Sequence, residues 1–156
     1  MIKVAKSDIS KEVAQELVEW TKDFLAALGR KDKKEADKIR KNYSHLKDQL
    51  VKDAHGKCAY CETFVRHISA GQTDHFSPVS KKPELVFEWS NLVLACENCN
   101  RNKSAYENDA MPLIHTVNDE PKDHIKFSGP FISDRNDTGE VTVRQLDLNR
   151  KDLLAM

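Results

Sequence analysis

The stretch from Cys58-Ala-Tyr-Cys61 through Asp74-His75-Phe-Ser-Pro78 to Cys96-Glu-Asn-Cys99-Asn100 contains every cysteine of the chain. Two Cys-x-x-Cys knuckles supply four thiolates, which complete a tetrahedral zinc site with no ligand left over. Residues 62–95 separate the knuckles, an interval of 34 residues, longer than the roughly 15–20 of a simple zinc ribbon. Further structure is therefore inserted between them. A redox role would need a thioredoxin-like strand and helix around one pair, and no such pattern flanks either. Cys58, Cys61, Cys96 and Cys99 are read as a structural zinc site whose metal contributes folding energy.

The insert carries Asp74-His75. On an extended segment adjacent side chains point to opposite faces, so this pair is poorly placed to bind one ion together. Two separate jobs suit it better. A carboxylate at Asp74 takes a hard divalent cation through oxygen, while an imidazole at His75, with an ordinary pKa of about 6.5, accepts a proton from water. Alone, an Asp-His pair reads equally well as an inert surface feature. Asn91 within the insert and Asn100 directly after the last cysteine bear on that choice.

N-terminal to the knuckles the pattern is helical. Ser10 is a good N-cap, and Val13, Leu17, Trp20, Phe24 and Leu28 recur at helical spacing, which predicts a helix to Leu28 stopped by Gly29. Ala36, Ile39, Tyr43, Leu46 and Leu50 predict a second helix over residues 33–53, with Gly56 beyond it. Residues 1–56 are therefore expected to form a helical hairpin that packs on itself or on the zinc unit. Thr73 to Phe76 and Asn91 to Ala95 read as short extended pieces, and a helix is expected through Asn100 and Lys103 to Tyr106. Val86 to Trp89 is apolar enough to pack on the metal-bound core. Trp89 and Tyr60 read as packing residues before base-stacking ones.

Residues 109–156 are expected to form an α/β extension. Ile125 to Phe127 is a short piece, Glu140 to Leu146 alternates like a half-buried strand opposed by Phe131-Ile132, and Leu148 to Leu154 starts a helix. His55, His67, His115 and His124 receive no role.

Composition limits the class. With 156 residues, 39% hydrophobic and 32% charged, the chain suits one globular domain with a core of its own. Met1-Ile-Lys-Val-Ala-Lys6 lacks the apolar core of a signal peptide and no run is long enough for a membrane span, so a cytoplasmic protein with reduced thiols and no membrane partner is expected. The net charge is zero, which excludes coating of nucleic acid by bulk charge. Its distribution is uneven: residues 1–57 hold 14 Lys/Arg against 10 Asp/Glu, and residues 104–156 hold 6 against 10. The dense run Arg30 to Lys41 reads as the solvated face of a helix or as a source of phosphate contacts.

Taken together, Cys58-x-x-Cys61, Asp74-His75-x-x-Pro78, Asn91-Leu92 and Cys96-x-x-Cys99-Asn100-x-x-Lys103 resemble the HNH endonuclease superfamily, in its branch with two cysteine knuckles. The resemblance implies an α+β fold: a ββα-metal (His-Me finger) core over residues 57–108, stapled by the four-cysteine zinc site. It makes His75 the general base, Asp74 and Asn100 the ligands of a catalytic divalent ion, and Asn91 the brace of the histidine loop. Asn100 departs from the members that carry histidine there; its amide oxygen with a carboxylate favours Mg2+ or Mn2+ over zinc. Lys103, one turn beyond Asn100, is expected to neutralise a substrate phosphate, with an ordinary surface lysine as the other reading.

Within the superfamily, Lys57-Cys-Ala-Tyr-Cys-Glu62, Trp89-Ser-Asn-Leu92, Pro112-Leu-Ile, Asp119-Glu-Pro121 and Leu148-Asn-Arg150 are similar to bacterial anti-phage HNH proteins of the PtuB type. This implies a nuclease that hydrolyses nucleic acid, DNA foremost, and works with an ATPase partner of the PtuA type. The competing readings are a zinc-stapled nucleic-acid-binding module and a protein-assembly scaffold, both without catalysis.

Overall fold

A computed structural model of the chain describes residues 1–65 and 71–155. Helix α1 (Lys11–Gly29) begins where Ser10 accepts from the Val13 amide at 3.3 Å, and it buries Leu17, Phe24 and Ala27. A three-residue connection, with Lys31 at positive φ, turns the chain into α2 (Lys33–Arg40), which packs on α1.

The single helix expected over residues 33–53 is divided. Between α2 and α3 (Lys47–Asp53) the chain tightens into a 3₁₀ segment, Lys41–Leu46. The apolar stripe is retained, with Ala36, Leu46 and Leu50 buried and Ile39 and Tyr43 packed against the core. What changes is the winding. Asn42, Tyr43 and Ser44 are weak helix formers, and the Tyr43 ring is engaged by the sheet region, so local preference and tertiary contact both favour the tighter turn.

Two short strands form the centre. β1 (Gln72–His75) pairs antiparallel with β2 (Leu92–Ala95), with Asp74 opposite Val93 and His75 opposite Leu92. All four β2 residues are buried, so the strand reads as an apolar run without alternation. Helix α4 (Glu97–Lys103) follows at once, its first turn capped by the Cys96 sulfur. This is the expected β-β-α order. It is shorter at its helical end than predicted: Ser104, at φ 49°, stops α4 before Tyr106.

The first knuckle is tied to this unit by the Ala59 amide, which donates to Leu94 O at 2.8 Å. Phe87, in the segment expected to pack on the core, is buried and meets Trp20 of α1 edge-on with ring centroids 5.5 Å apart.

In the C-terminal part α5 (Pro121–His124) leads into β3 (Ile125–Ser128) and β4 (Phe131–Asp134), an antiparallel hairpin turned at Gly129-Pro130, with Gly129 at φ 62°. The strand predicted over Glu140 to Leu146 is instead helix α6 (Asp137–Gln145), and the partner of Phe131-Ile132 is β3. The alternating valines misled because the stronger signal lies upstream. Asn136 caps the helix through the Gly139 amide at 3.0 Å, Asp137 and Glu140 occupy its first turn and Arg144 its last. Gly139 is required there: a Cβ would lie 2.0 Å from His124 O. Helix α7 (Lys151–Leu154) closes the described chain. None of the described helices is long and apolar enough to cross a membrane.

Candidate functional site

The four cysteines meet as their spacing predicts. Their sulfurs all lie within 4.8 Å of one another, and Cys61 and Cys96 are 3.8 Å apart. A tetrahedral zinc with bonds of about 2.3 Å separates its sulfurs by about 3.8 Å, so the cluster fits that ion. Crowding also splits the thiols' acidities. Hydrogen bonds with Cys58, Cys96 and Cys99 pull Cys61 down, those with Cys61 and Cys96 push Cys58 up, and those with Cys58, Cys61 and Cys96 push Cys99 up. Arg150, from the C-terminal part, donates to the Cys99 sulfur at 3.6 Å and so brings a positive charge to the thiolates.

From this staple, β1 sends two adjacent side chains to opposite faces, as extended geometry requires. On one face Asp74 is 7% exposed. Tyr60, inside the first knuckle, donates its hydroxyl to Asp74 Oδ2 at 2.6 Å. Lys103, fully buried on α4, sits 3.2 Å from Oδ2 and 3.4 Å from Oδ1, and donates to the His75 carbonyl at 2.7 Å. Burial pushes the Asp74 carboxyl up, and Lys103 and the Tyr60 bond oppose that rise. Asn100, one turn before Lys103, donates to Gln72 Oε1 at 2.6 Å. Gln72 and Asp74 are two residues apart on β1 and share a face, so Asn100 and Lys103 both address the Asp74 side.

Lys103 therefore stands elsewhere than a phosphate contact needs. An ammonium has three protons, and its three neighbours here are the two Asp74 oxygens and the His75 carbonyl. The Asn100 side-chain oxygen, by contrast, accepts from no protein group among the described residues. That amide oxygen is a hard donor of the kind a small divalent ion takes, whereas both Asp74 oxygens are engaged by Lys103 and Tyr60.

On the opposite face His75 is half-buried. Its Nε2 lies 2.9 Å from the Val86 carbonyl. A carbonyl only accepts, so Nε2 carries the proton and Nδ1 keeps its lone pair. Burial drives the imidazole down to about 4; the Val86 bond opposes this, and the charges of Arg40 and Lys103 reinforce it. His75 is thus neutral at physiological pH. The Tyr43 ring meets it edge-on at a centroid distance of 5.6 Å.

Asn91, 3% exposed, holds the loop after His75 at both ends. It accepts from the Ser77 amide at 2.7 Å and donates to Ser77 O at 3.1 Å and Leu85 O at 2.9 Å. Leu85 immediately precedes Val86, so one amide positions both the histidine loop and the carbonyl that orients the ring.

Trp89 packs as expected, donating to Ser7 O at 3.1 Å, with the Lys6 ammonium 3.7 Å from its ring centre. His115 closes a turn through the Val117 and Asn118 amides and packs its ring on that of Phe76, next to His75 in the chain, at a centroid distance of 4.1 Å, while His124 contacts Asn136. His67 lies outside the described residues. From the sequence, Tyr60 and Tyr43 read as packing residues, and neither Arg40 nor Arg150 is assigned to the site. The contacts of Tyr60 and Arg150 reach groups 14 and 51 residues away in the chain, and no local pattern marks them.

Residues 58–105 match the HNH endonuclease family model. Two curated relatives both bear the name Septu protein PtuB. The one from Bacillus thuringiensis is 32% identical over 111 residues, which covers 70% of this chain and 43% of the relative. The one from Bacillus mycoides (strain KBAB4) is 27% identical over 143 residues, covering 69% of this chain and 48% of the relative. The chain thus spans about half the length of these relatives. No solved structure gives a significant match.

Proposed function

We propose, from the premise that residues 58–105 are an HNH endonuclease domain, that this protein is a nuclease that hydrolyses phosphodiester bonds, with DNA as the first substrate to test. The observation that carries the reading is the neutral His75, its Nε2 fixed on Val86 O at 2.9 Å and Nδ1 left as the acceptor. A water proton passes to Nδ1 as the water oxygen bonds to phosphorus. The bond from phosphorus to the 3′-oxygen then breaks, that oxygen is protonated from solvent, and 5′-phosphate and 3′-hydroxyl ends result. Asn91 keeps the imidazole in register by holding Ser77 and Leu85.

Asp74 and Asn100 would hold Mg2+ or Mn2+, which supplies charge neutralisation at the phosphate and the leaving oxygen. Lys103 keeps the buried Asp74 ionised and ready for that role. Zn2+ on Cys58, Cys61, Cys96 and Cys99 is scaffold. The likeness to Septu proteins supports a cytoplasmic effector of anti-phage defence, and the sequence resemblance adds an ATPase partner of the PtuA type.

The test is plasmid cleavage with Mg2+ or Mn2+, with the ATPase supplied. His75→Ala is expected to lower the rate by about 10²–10⁴ while leaving the fold intact; equal cutting by the variant would sink the mechanism. The engagement of both Asp74 oxygens by Lys103 and Tyr60 favours one second reading, a binding module in which Lys103 replaces the ion. In that case neither protein cuts and divalent ions leave DNA binding unchanged.

A further inference from the structure

With Lys103 enclosed, an exposed cation that acts on the general base comes from outside the HNH segment. Arg40 ends α2, and Tyr43 lies three residues on, so both project from the same side of the turn, where Tyr43 touches the His75 ring. The Arg40 charge also acts on that imidazole. Arg40 and Lys33 line a groove of about 380 Å³ whose far wall is Val79, Ser80 and Pro83, the chain that continues from the His75 loop. The groove therefore runs alongside the segment that carries the base. Its wall includes the apolar Phe24 and Ala36, and its charged lining is Lys33 and Arg40 against Asp37, on a helix segment in which residues 30–41 hold seven Lys/Arg against three Asp/Glu.

The charges on α2 are available. Among the described residues Arg40 pairs only with Asp37, at 3.4 Å, with the two side chains 45% and 66% exposed, and Lys33 makes no ion pair. Exposed pairs at this spacing contribute little. A guanidinium can leave such a partner for a phosphate at small cost and gain a bidentate, charge-assisted contact.

We propose that Arg40, with Lys33 behind it, is a phosphate-binding subsite that holds the DNA strand in the groove between α2 and the 79–83 loop and presents it to His75. The N-terminal helices then form part of the substrate surface as well as a support. The proposal rests on the nuclease reading for the meaning of the strand's position, but strand binding is measurable without cleavage.

The experiment measures anisotropy of a short fluorescein-labelled DNA duplex over a series of salt concentrations, with every variant in the His75→Ala background. Arg40→Gln is expected to weaken binding about tenfold and to lower the slope of log affinity against log salt by about one, as for one lost phosphate contact. Arg40→Lys should recover most of the slope. Lys38→Gln makes the same charge change on α2 but lies outside the groove, and should change affinity by less than about twofold. Matching thermal midpoints show that the variants are folded. Unchanged slope in Arg40→Gln, or an equal loss in Lys38→Gln, overturns the proposal, since the first denies a contact and the second reduces it to bulk charge. With His75 restored, Arg40→Gln should raise KM and leave kcat nearly unchanged. Should wild-type protein fail to cut while Arg40→Gln still weakens binding selectively, the subsite stands and the nuclease reading falls.

Discussion

The two faces of β1 receive adjacent side chains and treat them in opposite ways. Asp74 goes inward, where Tyr60 and Lys103 supply a hydroxyl and a cation against the cost of burial. His75 goes toward the helices, where burial is reinforced by two positive charges and the Val86 carbonyl holds its ring. One carboxylate is pushed up by burial against an opposing cation and hydroxyl, and one imidazole is pushed down by burial and two cations, one residue apart. Mutations on the Asp74 face should therefore act first on stability, and mutations on the His75 face first on turnover.

The four-cysteine cluster underlies both faces, so loss of the zinc it would hold should be the largest effect and should erase the contrast. Structural zinc sites hold apparent free energies of about 10–16 kcal/mol. A strong chelator is expected to abolish the cooperative melt of the core, followed by circular dichroism, with release of one zinc per chain. A chelated protein that melts as before would mean that the cysteines hold no ion that matters.

The next effect belongs to the Asp74 face. Lys103→Met keeps the side-chain length and leaves a buried carboxylate without its cation, a loss of about 3–5 kcal/mol, read as a fall in the denaturation midpoint. A midpoint equal to wild type would show that the pair is not what keeps Asp74 inside. Tyr60→Phe removes one hydrogen bond to the same carboxylate and should cost about 1–3 kcal/mol. Failure to rank below Lys103→Met would reverse the roles assigned to the two partners.

The smallest effect comes from a cation buried without an acceptor. Lys6 has no hydrogen-bond partner among the described residues, and burial lowers it from 10.5 to about 8, Asp53 opposing. Below pH 8 it is protonated in both folded and unfolded chains, and its burial destabilises, offset in part by the Trp89 ring beneath it. Between pH 8 and 10.5 the folded protein releases the proton first, so stability rises with pH. Lys6→Met should accordingly melt higher than wild type below pH 8, and lose that advantage as pH climbs toward 10.5. A constant difference across that range would break the assignment.

Much of the site was legible in advance because metal and proton chemistry dictate residue types. Only thiolates at Cys-x-x-Cys spacing close a zinc site without other ligands, and the apolar period that set α1 has no competing reading. Where the reading failed, a local rule outweighed the pattern, as when the Asn136 cap and Gly139 made a helix of the residues whose valines alternate like a strand. The break after Arg40 was hidden for a different reason, since the helical stripe continues through it and the weak helix formers Asn42 to Ser44 wind tighter together with the contact of Tyr43 on His75.

By itself the sequence determined which groups are present: four thiols, a carboxylate beside an imidazole, and asparagines flanking β2. Tertiary structure alone decided what surrounds each of them. Lys103 looked like a surface cation for phosphate and is the buried counter-ion of Asp74, while Arg40 looked like one charge among many and its charge reaches the His75 imidazole. The physical reason is that residue type and spacing set chemical capacity locally, whereas burial and the partners of a charge depend on chain segments far apart in sequence.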